Sequence, residues 1–194
     1  MVQILSSCKL LAVSKGRSLE QIIALYNSGQ RDFGENYAEE FKSKQEALKT
    51  SCPEIKWHFI GQIQSNKIKI ISQAHYVHSL SKLKHAQLLA EHTAHNLLQV
   101  FIQVNLSRES HRGGVVPEEI SNLAESILKI PKLKLIGLMA ILPLQGDPNH
   151  WFSQMQALQQ PNYPELSMGM SDDYQVAIQH GATWVRLGKA LFAN

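Results

Sequence analysis

Short apolar runs alternate along the chain with longer stretches in which apolar residues recur every three or four positions. The short runs predict strands at Leu10–Val13, Asp32–Phe33, Trp57–Ile60, Tyr76–Ser79, Val100–Val104, Leu135–Ala140, Leu166–Ser167 and Trp184–Leu187. The longer stretches predict helices. Leu19–Asn27 places Leu19, Ile22, Ile23 and Leu25/Tyr26 on one face, and Ser81–Asn96 does the same with Leu83, Ala86, Leu89/Ala90 and Thr93, with Ser81 as N-cap. Pro117–Ile130 opens on a proline and two glutamates, which suits a helix start, and Asp172–His180 stops at Gly181, a natural C-terminal cap. Gln145–Asn149 and Gln159–Pro164 read as connecting loops.

Strand–helix–strand alternation predicts parallel strands joined by right-handed crossovers. Eight repeats in 194 residues leave roughly 24 residues per unit, nearly filled by a strand of ~5, a helix of ~11 and two short loops. The expected architecture is a minimal α/β (β/α)8 barrel forming one domain over 1–194, since such barrels usually run from ~200 residues upward. An open doubly wound sheet competes with it. Hydrophobic residues at 44% and charged ones at 18% supply a core and argue against disorder. No apolar run approaches the ~20 residues of a membrane span, and Met1–Cys8 lacks the basic start of a signal peptide. A net charge of +3, spread along the chain, gives no nucleic-acid stripe. Cys8 and Cys52 share no metal-site spacing and fit a reducing, cytoplasmic setting.

Parallel α/β folds bind ligands at the carboxyl ends of their strands. Those ends carry Ser14-Lys15, Gly34-Glu35-Asn36-Tyr37, Gly61-Gln62, Asn105, Met168-Gly169-Met170-Ser171 and Arg186-Leu187-Gly188-Lys189, a polar and basic rim suited to an anion. Ser171 followed by Asp172-Asp173 predicts a helix start whose N–H groups face that anion, with both acids turned away; simple capping is the bland alternative. Lys15, at the end of an apolar strand, is either a desolvated amine suited to Schiff-base formation or a lysine whose head reaches water. His58, within Trp57-His58-Phe59-Ile60, reads as semi-buried and able to touch a ligand, whereas the other histidines lack the spacing of metal ligands. Gly61 to Lys67 has only the ends of a P-loop, and Gly-x-Ser-x-Gly is absent.

Ala12-Val13-Ser14-Lys15, Phe33-Gly34-Glu35-Asn36-Tyr37, Trp57-His58-Phe59-Ile60-Gly61 with Gln64-Ser65-Asn66-Lys67, Gly137-Leu138-Met139-Ala140, Leu166 through Asp173, and Val185-Arg186-Leu187-Gly188 stand in a familiar order. From about Leu10 to Phe192 the chain resembles the pyridoxal phosphate homeostasis protein family. The resemblance implies a barrel like the N-terminal domain of alanine racemase, with pyridoxal phosphate held as a Schiff base on Lys15. It implies Arg186 at the pyridine nitrogen, Ser171 and the backbone at Gly188 and Lys189 on the phosphate, and Asn36, His58 and Met170 around the ring. A guanidinium at that nitrogen disfavours its protonation and weakens the electron sink that carbanion chemistry needs.

Three departures from the family pattern stand out. Only Met1 to Lys9 precede Leu10, where the family has a helix. Leu142–Pro164 reads as short for a sixth helix, which implies an empty place in the barrel wall and an apolar seam favouring self-association. Lys189 stands where the family generally has Ser or Thr, so the N–H survives and the hydroxyl is lost. The function expected is buffering and delivery of pyridoxal phosphate without robust catalysis, by a monomer or weak homodimer, with pyridoxal phosphate-dependent apoenzymes as recipients and neither nucleic acid nor membrane as partner. The alternatives are an amino-acid racemase, using Tyr37 or His58 as opposing base, and a phosphate-binding barrel isomerase without the cofactor.

Overall fold

The computed structural model describes residues 8–143 and 145–192. Eight parallel strands close into a barrel in chain order, β8 returning to β1. They are β1 Lys9–Val13, β2 Asp32–Glu35, β3 Lys56–Phe59, β4 Tyr76–Leu80, β5 Leu98–Val104, β6 Leu133–Ala140, β7 Glu165–Ser167 and β8 Trp184–Leu187. The eight expected strands are all present, and closure through the β1–β8 pairing excludes the open sheet. The helices are α1 Leu19–Asn27, α2 Ala38–Leu48, α3 Ile68–Ile71, α4 Leu83–His92, α5 Ile120–Leu128, α6 Pro148–Ala157, α7 Tyr174–Gln179 and α8 Lys189–Phe192. None of the described helices is long and apolar enough to cross a membrane.

Period-2 alternation sorts the side chains into two cores. Inside the barrel lie Leu11, Ile60, Phe101, Ile136, Met139 and Trp184. Between strands and helices lies the larger layer, which includes Ala12, Phe33, Trp57, Phe59, Leu138 and Val185. On β1, Leu11 and Val13 face inward, so the same alternation carries Lys15 to the barrel mouth. Glycine at 137 lets β6 and β7 approach, since a Cβ there would sit 2.0 Å from the Glu165 carbonyl oxygen.

Several helix expectations are corrected. α6 fills the wall position expected to be empty. Asp147 caps it by accepting from the Asn149 N–H at 2.9 Å, Pro148 takes the first turn, and Phe152 and Met155 are buried. Asp147–Asn149 is thus a helix start rather than a connection. α4 begins after Lys82, without a side-chain cap, so Ser81 is not its N-cap. The segment from Pro117 opens as a short 3-10 turn before α5. α7 starts only at Tyr174, with Ser171 to Asp173 forming a turn ahead of it, so Ser171 does not cap a helix.

Candidate functional site

The carboxyl ends of β1, β2, β3, β6, β7 and β8 surround a cleft of about 270 Å³, just below the ~300–1,000 Å³ usual for ligand pockets and suited to a small molecule. Val13, Lys15, Asn36, Ile60, Ile141, Met170, Ser171, Asp172, Arg186, Gly188 and Lys189 line it. Seven of the eight site residues expected from the sequence therefore meet in one place. Lys15 is exposed there, one residue beyond the buried Ser14.

A polar lock under the cleft seats Lys15. Ser14 Oγ donates to Glu35 Oε1 at 2.6 Å, and Lys44 Nζ donates to the Ser14 carbonyl at 2.5 Å, to Glu35 Oε1 at 2.8 Å and to Glu40 Oε1 at 2.6 Å. Glu40 Oε1 also accepts from the Gly16 N–H at 2.6 Å. Both residues flanking Lys15 are thereby tied to α2 or β2. Burial outweighs the Lys44 and Ser14 contacts and pushes the Glu35 carboxyl above its ordinary pKa. Sequence reading placed Glu35 only among the rim residues and missed Lys44, because neither looks different from a surface charge in the sequence alone.

Arg186 forms the floor. Its Nη1 donates to the Ser167 carbonyl at 2.6 Å and to Ser167 Oγ at 2.9 Å, and its Nη2 donates to the Ala140 carbonyl at 2.7 Å. Burial lowers its pKa to about 10, which leaves it a cation at neutral pH. Ser167 is a further residue that the sequence did not single out, although period 2 places it inward beside Arg186.

Asn36 rests on a close approach of two strand ends: a Cβ on Gly61 would lie 1.7 Å from the Asn36 carbonyl oxygen, so only glycine fits. The Gly61 carbonyl is held in turn by Ser79 Oγ at 2.5 Å. Asn36 Oδ1 is buried without a partner among the described residues in the lining of the cleft, an acceptor that a ligand hydroxyl would satisfy. α8 starts at Lys189, so by helix geometry its first N–H groups lack intrahelical acceptors, and Gly188 and Lys189 border the cleft beside Ser171. Gly169 turns the preceding chain at φ +90°, with no room for a Cβ against Ala177 at 2.6 Å. Of the two acids expected to turn away, Asp173 does so by accepting from the Met170 N–H at 2.6 Å, whereas Asp172 borders the cleft.

His58 is corrected. It lies in mid-barrel as the third residue of β3, fully buried, with one ring nitrogen 3.0 Å from Asp32 Oδ1 and the other 2.9 Å from His78 Nε2. It does not line the cleft, because alternation places Ile60, not His58, at the mouth of that strand. Tyr37 is exposed at the rim.

A family model described as the alanine racemase N-terminal domain matches residues 1–194. The chain belongs to this family. It is 42% identical to the pyridoxal phosphate homeostasis protein of Vibrio alginolyticus, over 96% of the chain and 86% of that protein. PipY of Synechococcus elongatus PCC7942, solved with PLP bound, superposes with a TM-score of 0.89 at 33% identity, covering 98% of this chain and 95% of PipY. The alanine racemase of Corynebacterium glutamicum shares the fold, with a TM-score of 0.71 at 18% identity. The alignment covers 96% of this chain but 56% of the racemase.

Proposed function

We propose that the chain binds pyridoxal phosphate through Lys15 and serves its homeostasis, holding and releasing the cofactor without robust catalysis. The observation that carries this reading is the convergence of Lys15, Arg186 and the unpartnered Asn36 acceptor in one cleft sized for a small ligand. The naming of the Vibrio relative and the PLP bound by PipY support it. When bound, the cofactor supplies an aldehyde that condenses with a lysine amine and a ring that withdraws electrons.

The residues divide the work. Lys15 presents the amine from a backbone that Glu35, Lys44 and Glu40 hold still. Ser171, Gly188 and Lys189 would hold the phosphate, and the Lys189 side chain can add a point charge in place of a hydroxyl. Asn36 and Met170 would flank the ring, with Arg186 at its nitrogen. A donor-only guanidinium there would keep that nitrogen unprotonated, which would weaken the electron sink and favour storage over carbanion chemistry.

A racemase needs an opposing base, and His58 is unavailable because both its ring nitrogens are engaged inside the barrel. Tyr37 remains as the candidate for that role. The exposed Lys15, Ile141 and Met170 at the mouth suit transfer to pyridoxal phosphate-dependent apoenzymes. Two buried free cysteines suit a reducing cytoplasm.

Purified protein mixed with pyridoxal phosphate should develop an absorbance band that borohydride fixes at Lys15. Lys15→Ala should lack it; the same band in Lys15→Ala overturns the assignment. Racemisation of an L-amino acid above a cofactor-only control would favour the racemase. A colourless wild-type protein would favour a phosphate-binding isomerase.

A further inference from the structure

Below the cleft, a line of polar side chains crosses the barrel interior. Asp32 opens β2 at the amino-terminal end of the barrel, His58 and His78 are the third residues of β3 and β4, Ser167 closes β7, and Arg186 is the third residue of β8. His58 Nε2 lies 3.0 Å from Asp32 Oδ1, and His58 Nδ1 lies 2.9 Å from His78 Nε2. His78 Nδ1 lies 2.9 Å from Ser167 Oγ, which accepts from Arg186 Nη1 at 2.9 Å. Both imidazoles are fully buried. Each is clamped by an aromatic face, His58 on Tyr76 with ring centroids 4.1 Å apart and His78 on Phe101 at 4.2 Å. Neither ring can turn without opening the inner core.

The two ends of the line dictate its direction. A carboxylate only accepts and a guanidinium only donates, while a hydroxyl or a neutral imidazole does both. Burial holds both histidines below their ordinary pKa and hence neutral at pH 7. Facing the Asp32 carboxylate, His58 must carry its proton on Nε2, which leaves Nδ1 to accept from Nε2–H of His78. His78 Nδ1 is then bare and accepts the Ser167 hydroxyl proton, so the Ser167 lone pairs face Arg186. Reversed, His58 would present a lone pair to a carboxylate, and the Ser167 proton would lose its acceptor. One arrangement of protons satisfies every contact.

Arg186 itself is paired with two carbonyls and a hydroxyl rather than with a carboxylate. The carboxylate that its hydrogen-bond chain reaches is Asp32, and hydrogen bonds in series polarise one another. We propose that Asp32, at the end of the barrel opposite the cleft, is a positioning residue for Arg186, acting through His58, His78 and Ser167 to hold the guanidinium in a single setting. Only the identity of the ligand group that Arg186 meets rests on the pyridoxal phosphate reading; the chain of contacts does not.

The test reads nitrogen resonances of histidine and arginine side chains in the ligand-free protein. His58 and His78 should both show protonated Nε2 and bare Nδ1 between about pH 6 and 8, and the Arg186 guanidinium protons should exchange slowly. An amide at position 32 can donate or accept, so Asp32→Asn should give mixed tautomers at both histidines and exchange at Arg186 faster by about threefold or more. Ser167→Ala should loosen Arg186, which keeps its two carbonyl contacts, while leaving the His58 tautomer in place. Glu165→Gln is the control, because that carboxylate binds Lys9 and Trp184 outside the line; it should change neither signal. An Nδ1–H tautomer or an imidazolium at either histidine of the wild type overturns the proposal even if no variant folds. So does an Asp32→Asn protein with wild-type signals. With pyridoxal phosphate added, Asp32→Asn should shift the Lys15 band or its pH midpoint, and Glu165→Gln should not. A wild type that forms no Lys15 band sinks the cofactor reading alone, since the tautomers and the guanidinium are read without it.

Discussion

Replacing Lys44 by methionine keeps the apolar stem on the buried face of α2 and removes only the ammonium. That group donates to the Ser14 carbonyl, Glu35 Oε1 and Glu40 Oε1, all within 2.8 Å. Glu40 is partly exposed and can recover water, but Glu35 is 0% exposed and its Oε2 already lacks a partner among the described residues. Removing one member of a buried pair costs about 3–5 kcal/mol, because the remaining charge is uncompensated. At roughly 2–4 °C per kcal/mol for a chain of this size, Tm should fall by about 6–20 °C.

The loss should depend on pH. A carboxyl whose folded pKa lies above its unfolded value takes up a proton on folding, so its contribution is greatest in acid and falls away as pH rises through the folded pKa. The Glu35 pKa is already raised, and without Lys44 two influences that lower it vanish. The deficit should therefore be full at pH 7.5 and shrink toward about pH 4, where Glu35 is protonated folded or unfolded. Lys44→Met combined with Glu35→Gln should recover most of the Tm. Thermal denaturation followed by circular dichroism at both pH values is the assay. A loss below about 1 kcal/mol at pH 7.5, or one undiminished in acid, refutes the buried-pair argument.

Gly61→Ala should displace the Asn36 carbonyl, which lies 1.7 Å from the new Cβ, and lower pyridoxal phosphate retention on gel filtration while the barrel survives. Burial raises the Cys8 pKa to about 11, so alkylation of folded protein at pH 8 should run roughly 100-fold below that of an ordinary thiol, and denaturant should abolish the protection. Burial lowers His75 to about 4 and depresses His58 and His78 as well; the unfolded chain then binds more protons, so Tm should fall as pH drops from about 6.5 toward 4. Lys189→Thr restores a hydroxyl at the cleft rim and should raise cofactor retention in dialysis; an unchanged value makes the lysine neutral.

Period 2 is a local property of the backbone, which is why the strands were legible, while the roles of Lys15 and Arg186 came from the family resemblance. On β1 the period runs Leu11, Val13, Lys15, and on β8 Trp184, Arg186; in the sequence Arg186 could take either face, and the closed barrel set the guanidinium on the same side as the amine. Helices were less legible where their buried face carries charge. α2 buries Ala38, Phe41, Lys44 and Leu48, and the lysine hides an otherwise regular apolar stripe. α6 buries few residues and depends on the Asp147 cap and Pro148 more than on an apolar stripe.

The linear chain by itself determined the alternation of strands and helices, the mouth at which ligands gather, and the residues offered there. Only the closed barrel decided that β8 returns to β1, that Lys44 neutralises Glu35 beneath Lys15, and that His58 serves the interior instead of the cleft. Those outcomes join residues from different strands and helices, and a buried polar group takes whatever partner the packing brings within hydrogen-bond reach.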